Sequence, residues 1–473
     1  MTGRRVSALR SLEIERESFW VPIVPVISVA MSLEKGATMS SNSHVHRIGE
    51  DKKGLDWEAL SEDVHIMVLR KLPVFSLIRV RGVCKRWNHL IRSHEMWAPQ
   101  HPGPRAVPIY FSHGQLIVFD HRKNCWEEQS LDYVKFPSHS LSLLDSAGGL
   151  LCFKTSATGE LIVCNPISME CQYLRLPQGF SVEAITDPLP NLLKPVVTLE
   201  GGKEAIEAFQ RSFGKEVVVG LVTERHKQWY KLVVAGIRSE ESTAAAAAER
   251  ATLVYDSFTE RWSTGAEVPK GARFWESGKT VNVDGSLYCL TFSAGLASGT
   301  CGLDWPWSIV RYNSDADVWS EIRLGRRGSI LPQLVEHRGR ILVVQRNGKS
   351  QNEISISELK EDEPMCALTT RHLPSCLFPP KPGKRCPMIM QDWCVGQGDW
   401  LYVAGRHRES QADAAAGPRG LVILAHSFSE DVWIRLPTMA DAPTLRGHFS
   451  AALHGFHNAT WLHAFEPSLG ARV

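Results

Sequence analysis

The chain has 473 residues, enough for two or three domains with a sizeable core. Apolar residues make up 43% and charged residues 22%, a balance that excludes a collagen-like or wholly disordered chain. A formal net charge of +2 supplies no electrostatic ground for binding nucleic acid or a membrane surface.

Residues 1–54 carry one apolar run, Trp20–Met31. It is too short to cross a bilayer, and Pro22 and Pro25 interrupt it. Glu13, Glu15 and Glu17 precede it and no small-residue cleavage site follows, which argues against a signal peptide. Residues 32–54 are rich in Ser, Gly and charge. The expectation is a disordered leader over 1–54, with Met31 or Met39 as alternative starts.

Residues 55–98 read as a small all-α unit of three short helices. Asp56 or Ser61 can cap the first, and Glu62 and Asp63 suit the positive end of its dipole. Val64, Val68 and Leu72 follow an i, i+4, i+8 spacing with Met67 beside them, which predicts one apolar stripe. Pro73 biases Leu72 away from the helical region and ends the helix. Phe75, Leu77, Ile78 and Val80 form a second element that Gly82 breaks. Val83, Cys84, Trp87, Leu90 and Ile91 make the stripe of the third. Three helices this short cannot bury all these residues among themselves, so apolar surface is left for a partner. The basic balance of the segment suits an acidic partner surface or a plain solvated face.

Residues 99–108 hold four prolines and read as a stiff linker. From 109 to 473 the sequence is repetitive. Tyr255–Trp262, Tyr312–Trp319, His426–Trp433 and Phe119–Trp126 share one eight-residue register. Cys164–Cys171 is a weaker copy in which Cys171 takes the Trp position. A second element, a glycine turn followed by an apolar strand, recurs at Gly148-Gly149, Asp284-Gly285, Arg338-Gly339 and Gly398-Asp399. Ala244–Ala248 and Ala414–Ala416 fall in one slot, between the second and third strands of their units. Four-stranded units of this size predict an all-β propeller of six blades. Five lie at 141–177, 213–269, 274–325, 330–374 and 391–439. The sixth is composite, with outer strands from 109–130 and inner ones from Phe449–Phe465, which removes two free sheet edges. Residues 184–215 read as an insertion with a helix at Lys203–Arg211. The repeated Trp126, Trp262, Trp319 and Trp433 read as packing between blades. Trp275, Trp305 and Trp307 lie outside the register and are expected in or beside loops, as candidate contacts for a target protein.

Leu60, Glu62-Asp63, Val68-Leu69, Leu72-Pro73, Ser76-Leu77 and the block Val83-Cys84-Lys85-Arg86-Trp87 together resemble an F-box. Ser61 departs from the pattern, which carries Pro there. With the glycine turns and the Trp elements behind it, the chain resembles the plant F-box/kelch-repeat proteins, and the YKLVVAG…LVYDSFTERW pattern resembles the group around HAWAIIAN SKIRT. The kelch double glycine is intact only at 148–149. The resemblance implies binding to a SKP-type adaptor, and through it a cullin, with the propeller taking an unidentified target for ubiquitination. It carries Leu60, Val64, Leu72, Pro73, Leu77, Val83, Cys84 and Trp87 over as adaptor-contact or hook-core residues. The alternative is a kelch scaffold outside any ligase.

No cofactor, metal or covalent chemistry is expected of this chain. The 18 histidines are scattered and the 8 tyrosines few, against a copper-oxidase site. The Trp elements lack the glycine of a sialidase Asp-box, and no P-loop, Gly-x-Ser-x-Gly or His-Glu-x-x-His is present. Eleven scattered cysteines without a Cys-x-x-Cys read as reduced, buried thiols of a nuclear or cytoplasmic protein, a reading that outweighs a redox role.

Overall fold

A computed structural model describes most of residues 60–93, 107–180, 214–437 and 462–465, and residue 473; the longest gaps within these stretches are 238–249, 294–306, 373–392 and 407–420. The expected leader, most of the linker, the alanine tracts, the Lys203–Arg211 helix and all of Phe449–Phe465 before Leu462 lie outside the described residues.

The helical unit contributes α1 (Glu62–Leu69) and α2 (Lys85–Arg92). Of the predicted middle element only Leu77 and Val80 are described, both buried, and Arg81 N–H bonds the Leu77 carbonyl in helical i→i−4 fashion.

The strands described after it are arranged as six sheets. Blade 1 holds β1 (Val107–Ser112), β2 (Gln115–Asp120) and β3 (Cys125–Gln129). Blade 2 holds β4 (Leu141–Ala147), β5 (Leu150–Thr155), β6 (Leu161–Asn165) and β7 (Glu170–Leu174). The two-residue β8 (Gly214–Lys215) precedes blade 3, which holds β9 (Val218–Thr223), β10 (Tyr230–Ile237), β11 (Ala251–Asp256) and β12 (Arg261–Gly265). Blade 4 has β13 (Ala272–Trp275) and β14 (Val281–Val283) both paired with β15 (Ser286–Ser293), followed by β16 (Trp307–Asn313) and β17 (Val318–Arg323). Blade 5 is β18 (Ser329–His337), β19 (Arg340–Asn347), β20 (Ser350–Glu358) and β21 (Cys366–His372). Blade 6 is β22 (Trp393–Gln397), β23 (Trp400–Arg406), β24 (Leu421–Ser427) and β25 (Val432–Arg435).

The ring closes as expected, by a strand from the other end of the chain. β26 (Leu462–Phe465) pairs antiparallel with β1, Ile109 opposite His463, so blade 1 runs β26-β1-β2-β3. The innermost strands β26, β4, β9, β14, β18 and β22 each touch the next, and β22 returns to β26. Two boundaries differ from expectation. β1 starts at Val107, so the last two residues of the predicted linker are strand. β8, assigned by spacing to blade 3, instead pairs with β13 of blade 4, Lys215 opposite Phe274.

The eight-residue register has a physical basis. Its first and eighth residues are cross-strand partners: Phe119 and Trp126, Cys164 and Cys171, Tyr255 and Trp262, Tyr312 and Trp319, His426 and Trp433. Four of these pairs are rings in tilted contact, with centroids 5.1, 5.4, 4.9 and 4.7 Å apart. The sixth residue of every copy, Asn124, Met169, Glu260, Asp317 or Asp431, is left-handed, with φ between 50° and 62°. The second residue holds the turn: Asn165 Oδ1 accepts from Ile167 and Ser168 N–H, Asp256 Oδ1 from Phe258 and Thr259, and Asn313 Oδ1 from Asp315 and Ala316.

The glycine turns join first to second strands with positive φ at both central residues, 55° and 86° at Gly148-Gly149, 46° and 72° at Asp284-Gly285, 53° and 78° at Arg338-Gly339. That is the hairpin geometry whose twist matches the strands. Asp284 and Arg338 tolerate the position; at Gly148 a Cβ would also lie 2.6 Å from Thr223 Oγ1 of the next blade, so a side chain there must displace Thr223.

Apolar clusters fill the spaces between successive blades. Phe111, Leu116 and Val118 meet Leu143, Phe153 and Ile162 between blades 1 and 2. Val233, Val254 and Ala235 meet Phe274, Leu287 and Tyr312 between blades 3 and 4. Middle strands such as β5 and β6 are buried along their whole length, on both faces. Between blades 6 and 1, Trp126 Nε1 donates to the Pro437 carbonyl at 2.9 Å, and Trp319 Nε1 ties blade 4 to Thr252 Oγ1 of blade 3 at 2.9 Å. These positions match the structural role expected of the repeated tryptophans.

Candidate functional site

The helical unit builds its own small core from Ile66, Leu69, Leu72, Leu77, Val80, Trp87, Leu90 and Ile91, with Val83 and Cys84 packed against it. α1 begins after Ser61, which takes the N-cap backbone conformation but makes no side-chain capping bond. Glu62 and Asp63 in the first turn complement the helix dipole instead. α2 is capped by Cys84, whose Sγ accepts from Trp87 N–H at 3.4 Å, and Ser93 Oγ closes its other end on the Leu90 carbonyl at 2.8 Å. Arg86 Nη2 donates to the Leu60 carbonyl at 3.1 Å and ties α2 to the entry of α1.

The predicted stripe of α1 is corrected. The buried face is His65, Ile66 and Leu69, not Val64 and Val68. Val64 and Val68 are half-buried on the other side, and Met67 is 57% exposed. Five of the eight residues of α1 are apolar, more than one stripe can use, and packing against α2 selects which of two faces turns inward. The excess itself was the legible signal. It leaves Val64, Met67 and Val68 as an outward apolar strip on a short helix whose other face is already satisfied.

The other adaptor-site residues divide in the same way. Leu72, Leu77 and Trp87 are buried, Trp87 at 3%, so they are core residues and offer no side-chain surface. Leu60, Val83 and Cys84 are half-buried. Pro73 lies outside the described residues.

The aromatic target-contact candidates are also corrected. Trp275 and Trp307 stand in β13 and β16, each 5% exposed, with rings edge-to-face at 5.1 Å. They belong to the cluster between blades 4 and 5, together with Leu290, Ile309, Leu334 and Val343. Trp275 and Trp307 are strand residues outside the eight-residue register, and the register marks only the third-to-fourth strand turns. Trp305 lies outside the described residues.

One feature escaped the sequence reading. Arg81, between the middle element and α2, reaches the propeller and donates to the carbonyls of Ile167 and Ser168 in the β6–β7 turn, the latter at 3.4 Å. Asn88 Oδ1 accepts from Arg81 Nε at 3.0 Å and orients the guanidinium. Asn165 already takes the Ile167 and Ser168 N–H groups, which leaves their carbonyls to Arg81. Among the described residues Arg81 is a polar tether between the two units, and the apolar core of the hook contains no propeller residue. Among the described residues no group of three or more His, Cys, Asp or Glu side chains is placed to hold a metal, and no helix is long and apolar enough to cross a membrane.

Comparison with known proteins agrees with this division. An F-box protein of Arabidopsis thaliana is 27% identical over 154 residues, 31% of this chain and 40% of that protein. Another is 26% identical over 308 residues, 60% of this chain and 71% of that one. F-box only protein 13 of the same plant is 26% identical over 144 residues, 29% of this chain and 32% of its own. The chain spans less than half the length of the first and third of these relatives. Among solved structures, a chain of the nidogen/laminin complex is similar at a TM-score of 0.38 and 7% identity, over 77% of this chain and 99% of that chain, a likeness too slight to carry an argument. Residues 57–99 match the F-box domain family, so the helical hook is an F-box set ahead of a six-bladed β-propeller.

Proposed function

We propose that this chain is the target-recognition subunit of a SKP–cullin–F-box ubiquitin ligase. The F-box binds the SKP-type adaptor, the adaptor brings the cullin, and the propeller binds the protein to be ubiquitinated. The observation that carries the reading is the outward strip of Val64, Met67 and Val68 on an F-box helix, with Met67 57% exposed beside a complete core. Exposed apolar side chains grouped on one helix face are what a helix-packing partner covers. A scaffold that never joined a ligase would bury this strip on its own propeller, whereas the described contact there is the polar one of Arg81. No covalent step of ubiquitin transfer is assigned to the chain; it raises the concentration of a bound target near the ubiquitin-loaded enzyme. The kelch character of the blades and the likeness to the HAWAIIAN SKIRT group belong to the same proposal, on the Gly148-Gly149 turn and the Tyr230–Trp262 pattern.

The test is co-elution of the full chain with a SKP-type adaptor and a cullin on size-exclusion chromatography. A ternary peak that forms only when the adaptor is present supports the reading. Separate elution of the folded chain from the adaptor contradicts it and leaves the scaffold reading in its place.

A further inference from the structure

Blade 2 breaks the rule of the repeat at one pair. Where the other four copies of the register set two aromatic rings across the hairpin, blade 2 sets Cys164 opposite Cys171. Direct cross-strand partners point to the same face of a sheet with Cα atoms about 4.5–5.5 Å apart, inside the Cα separation that a disulfide spans. Both thiols are free here. Cys164 is fully buried in the cluster between blades 1 and 2, and Cys171 packs against that cluster while remaining half-exposed. One thiol is therefore reachable from solvent and the other is held behind it.

The surroundings divide the roles further. Burial pushes the Cys164 thiol well up, so it stays protonated and donates; Tyr133 Oη lies 3.8 Å from its sulfur. The hydrogen bond from Cys164 holds the Cys171 thiol below its ordinary range; burial opposes this, and the Tyr173 hydroxyl and the Lys135 cation assist. Lys135 is fixed nearby, its Nζ 5.1 Å from the Tyr173 ring centre and its N–H on Tyr173 Oη at 2.8 Å. A half-exposed thiol beside a cation, with its ionisation favoured, is the reactive kind, and a resolving thiol at its side completes the arrangement.

We propose that Cys164 and Cys171 are a reversible dithiol–disulfide pair, oxidised by hydroperoxides. The Cys171 thiolate attacks the peroxide O–O bond, which breaks to leave a sulfenic acid on Cys171 and, after protonation, an alcohol or water. Cys164 then attacks the Cys171 sulfur, the S–O bond breaks, the thiol proton leaves with the hydroxyl as water, and the S–S bond forms. The two sulfurs together give up two electrons to the peroxide, and a dithiol reductant returns them. The bond closes at the base of the Pro166–Met169 turn, the turn that Arg81 of the F-box grips. This inference does not depend on the ligase reading.

The experiment treats the full chain with hydrogen peroxide, blocks remaining thiols with iodoacetamide, digests with trypsin without reduction, and weighs the peptide of residues 155–175. That peptide contains Cys164 and Cys171 and no other cysteine. The expected result is a peptide two hydrogens lighter and unalkylated, restored to the doubly alkylated form by prior dithiothreitol. Cys164→Ser should stop the reaction at a sulfenic acid on Cys171 that dimedone captures. A peptide that stays doubly alkylated while the half-buried Cys84 or Cys125 is oxidised would overturn the proposal. So would overoxidation of Cys171 to the sulfinic acid with Cys164 still alkylated.

Discussion

Trp126 closes the propeller, and two substitutions there separate packing from hydrogen bonding. The indole is 1% exposed, lies 5.1 Å from the Phe119 ring, and donates to the Pro437 carbonyl of blade 6 at 2.9 Å. Trp126→Ala removes a large buried side chain and should cost about 3–5 kcal/mol, as buried aromatic truncations do. Trp126→Phe keeps most of the ring contact but leaves the Pro437 carbonyl without its donor, a loss of about 1–3 kcal/mol. Urea unfolding of the full chain, followed by far-ultraviolet circular dichroism, measures both. The expected order is wild type, Phe, Ala, with both steps resolved. If Trp126→Ala lowers stability by less than about 1 kcal/mol, the seam between blades 6 and 1 is not held as described. If Trp126→Phe is indistinguishable from wild type while Ala is not, packing alone holds it and the hydrogen bond is incidental.

Other positions give equally direct outcomes. Gly396→Ala would set a Cβ 2.2 Å from the Glu336 carbonyl oxygen, a backbone atom of β18, and should lower the midpoint of thermal unfolding more than Gly148→Ala, which meets the side chain of Thr223. Asp399 accepts from Ser427 Oγ at 2.8 Å and from Ser429, and pairs with Arg338 at 2.9 Å. Burial pushes its carboxyl up, but the hydrogen bonds from Ser429 and Ser427 and the Arg338 charge outweigh it and hold it below the usual carboxylate range. Its contribution is therefore complete above the ordinary carboxylate pKa of about 3.9 and is lost as pH falls through the lowered folded value. Asp399→Asn should be clearly less stable than wild type near neutral pH, by a gap that narrows under acid; a gap constant with pH would contradict the assignment. Trp87→Ala should unfold the F-box, at a cost of about 3–5 kcal/mol, and abolish adaptor binding only through that loss. A Trp87→Ala protein whose F-box amides stay protected from hydrogen exchange would contradict its place in the core.

The turns carried most of what the sequence revealed about the fold. The eight-residue register is legible because its residues serve one geometry: a hydrogen-bonding second residue, a left-handed sixth and a cross-strand pair at first and eighth. The middle strands were less legible, since β5 and β6 are buried on both faces and show no alternation. β8 was assigned to the wrong blade because two residues carry no periodicity, and only their pairing with β13 fixes their sheet. In the F-box, the number of apolar residues on α1 was legible, but which of them face inward was set by α2. Trp275 and Trp307 were misread because an aromatic outside a repeat register looks free in sequence, whereas here each pairs with the other across one strand interval. Arg81 was invisible as a tether because its acceptors are backbone carbonyls more than eighty positions away.

The central claim is that the F-box presents α1 to an adaptor, and the most direct measurement is calorimetric titration of a SKP-type adaptor into the full chain and its Met67→Asp variant. Met67 is 57% exposed and is not among the core residues of the helical unit, so circular dichroism should show the same melting curve for both proteins. The account predicts binding by the wild type and a weakening of at least about tenfold, roughly 1.4 kcal/mol, in the variant. Equal affinity for the two, or no heat of binding from the intact folded chain, would contradict it.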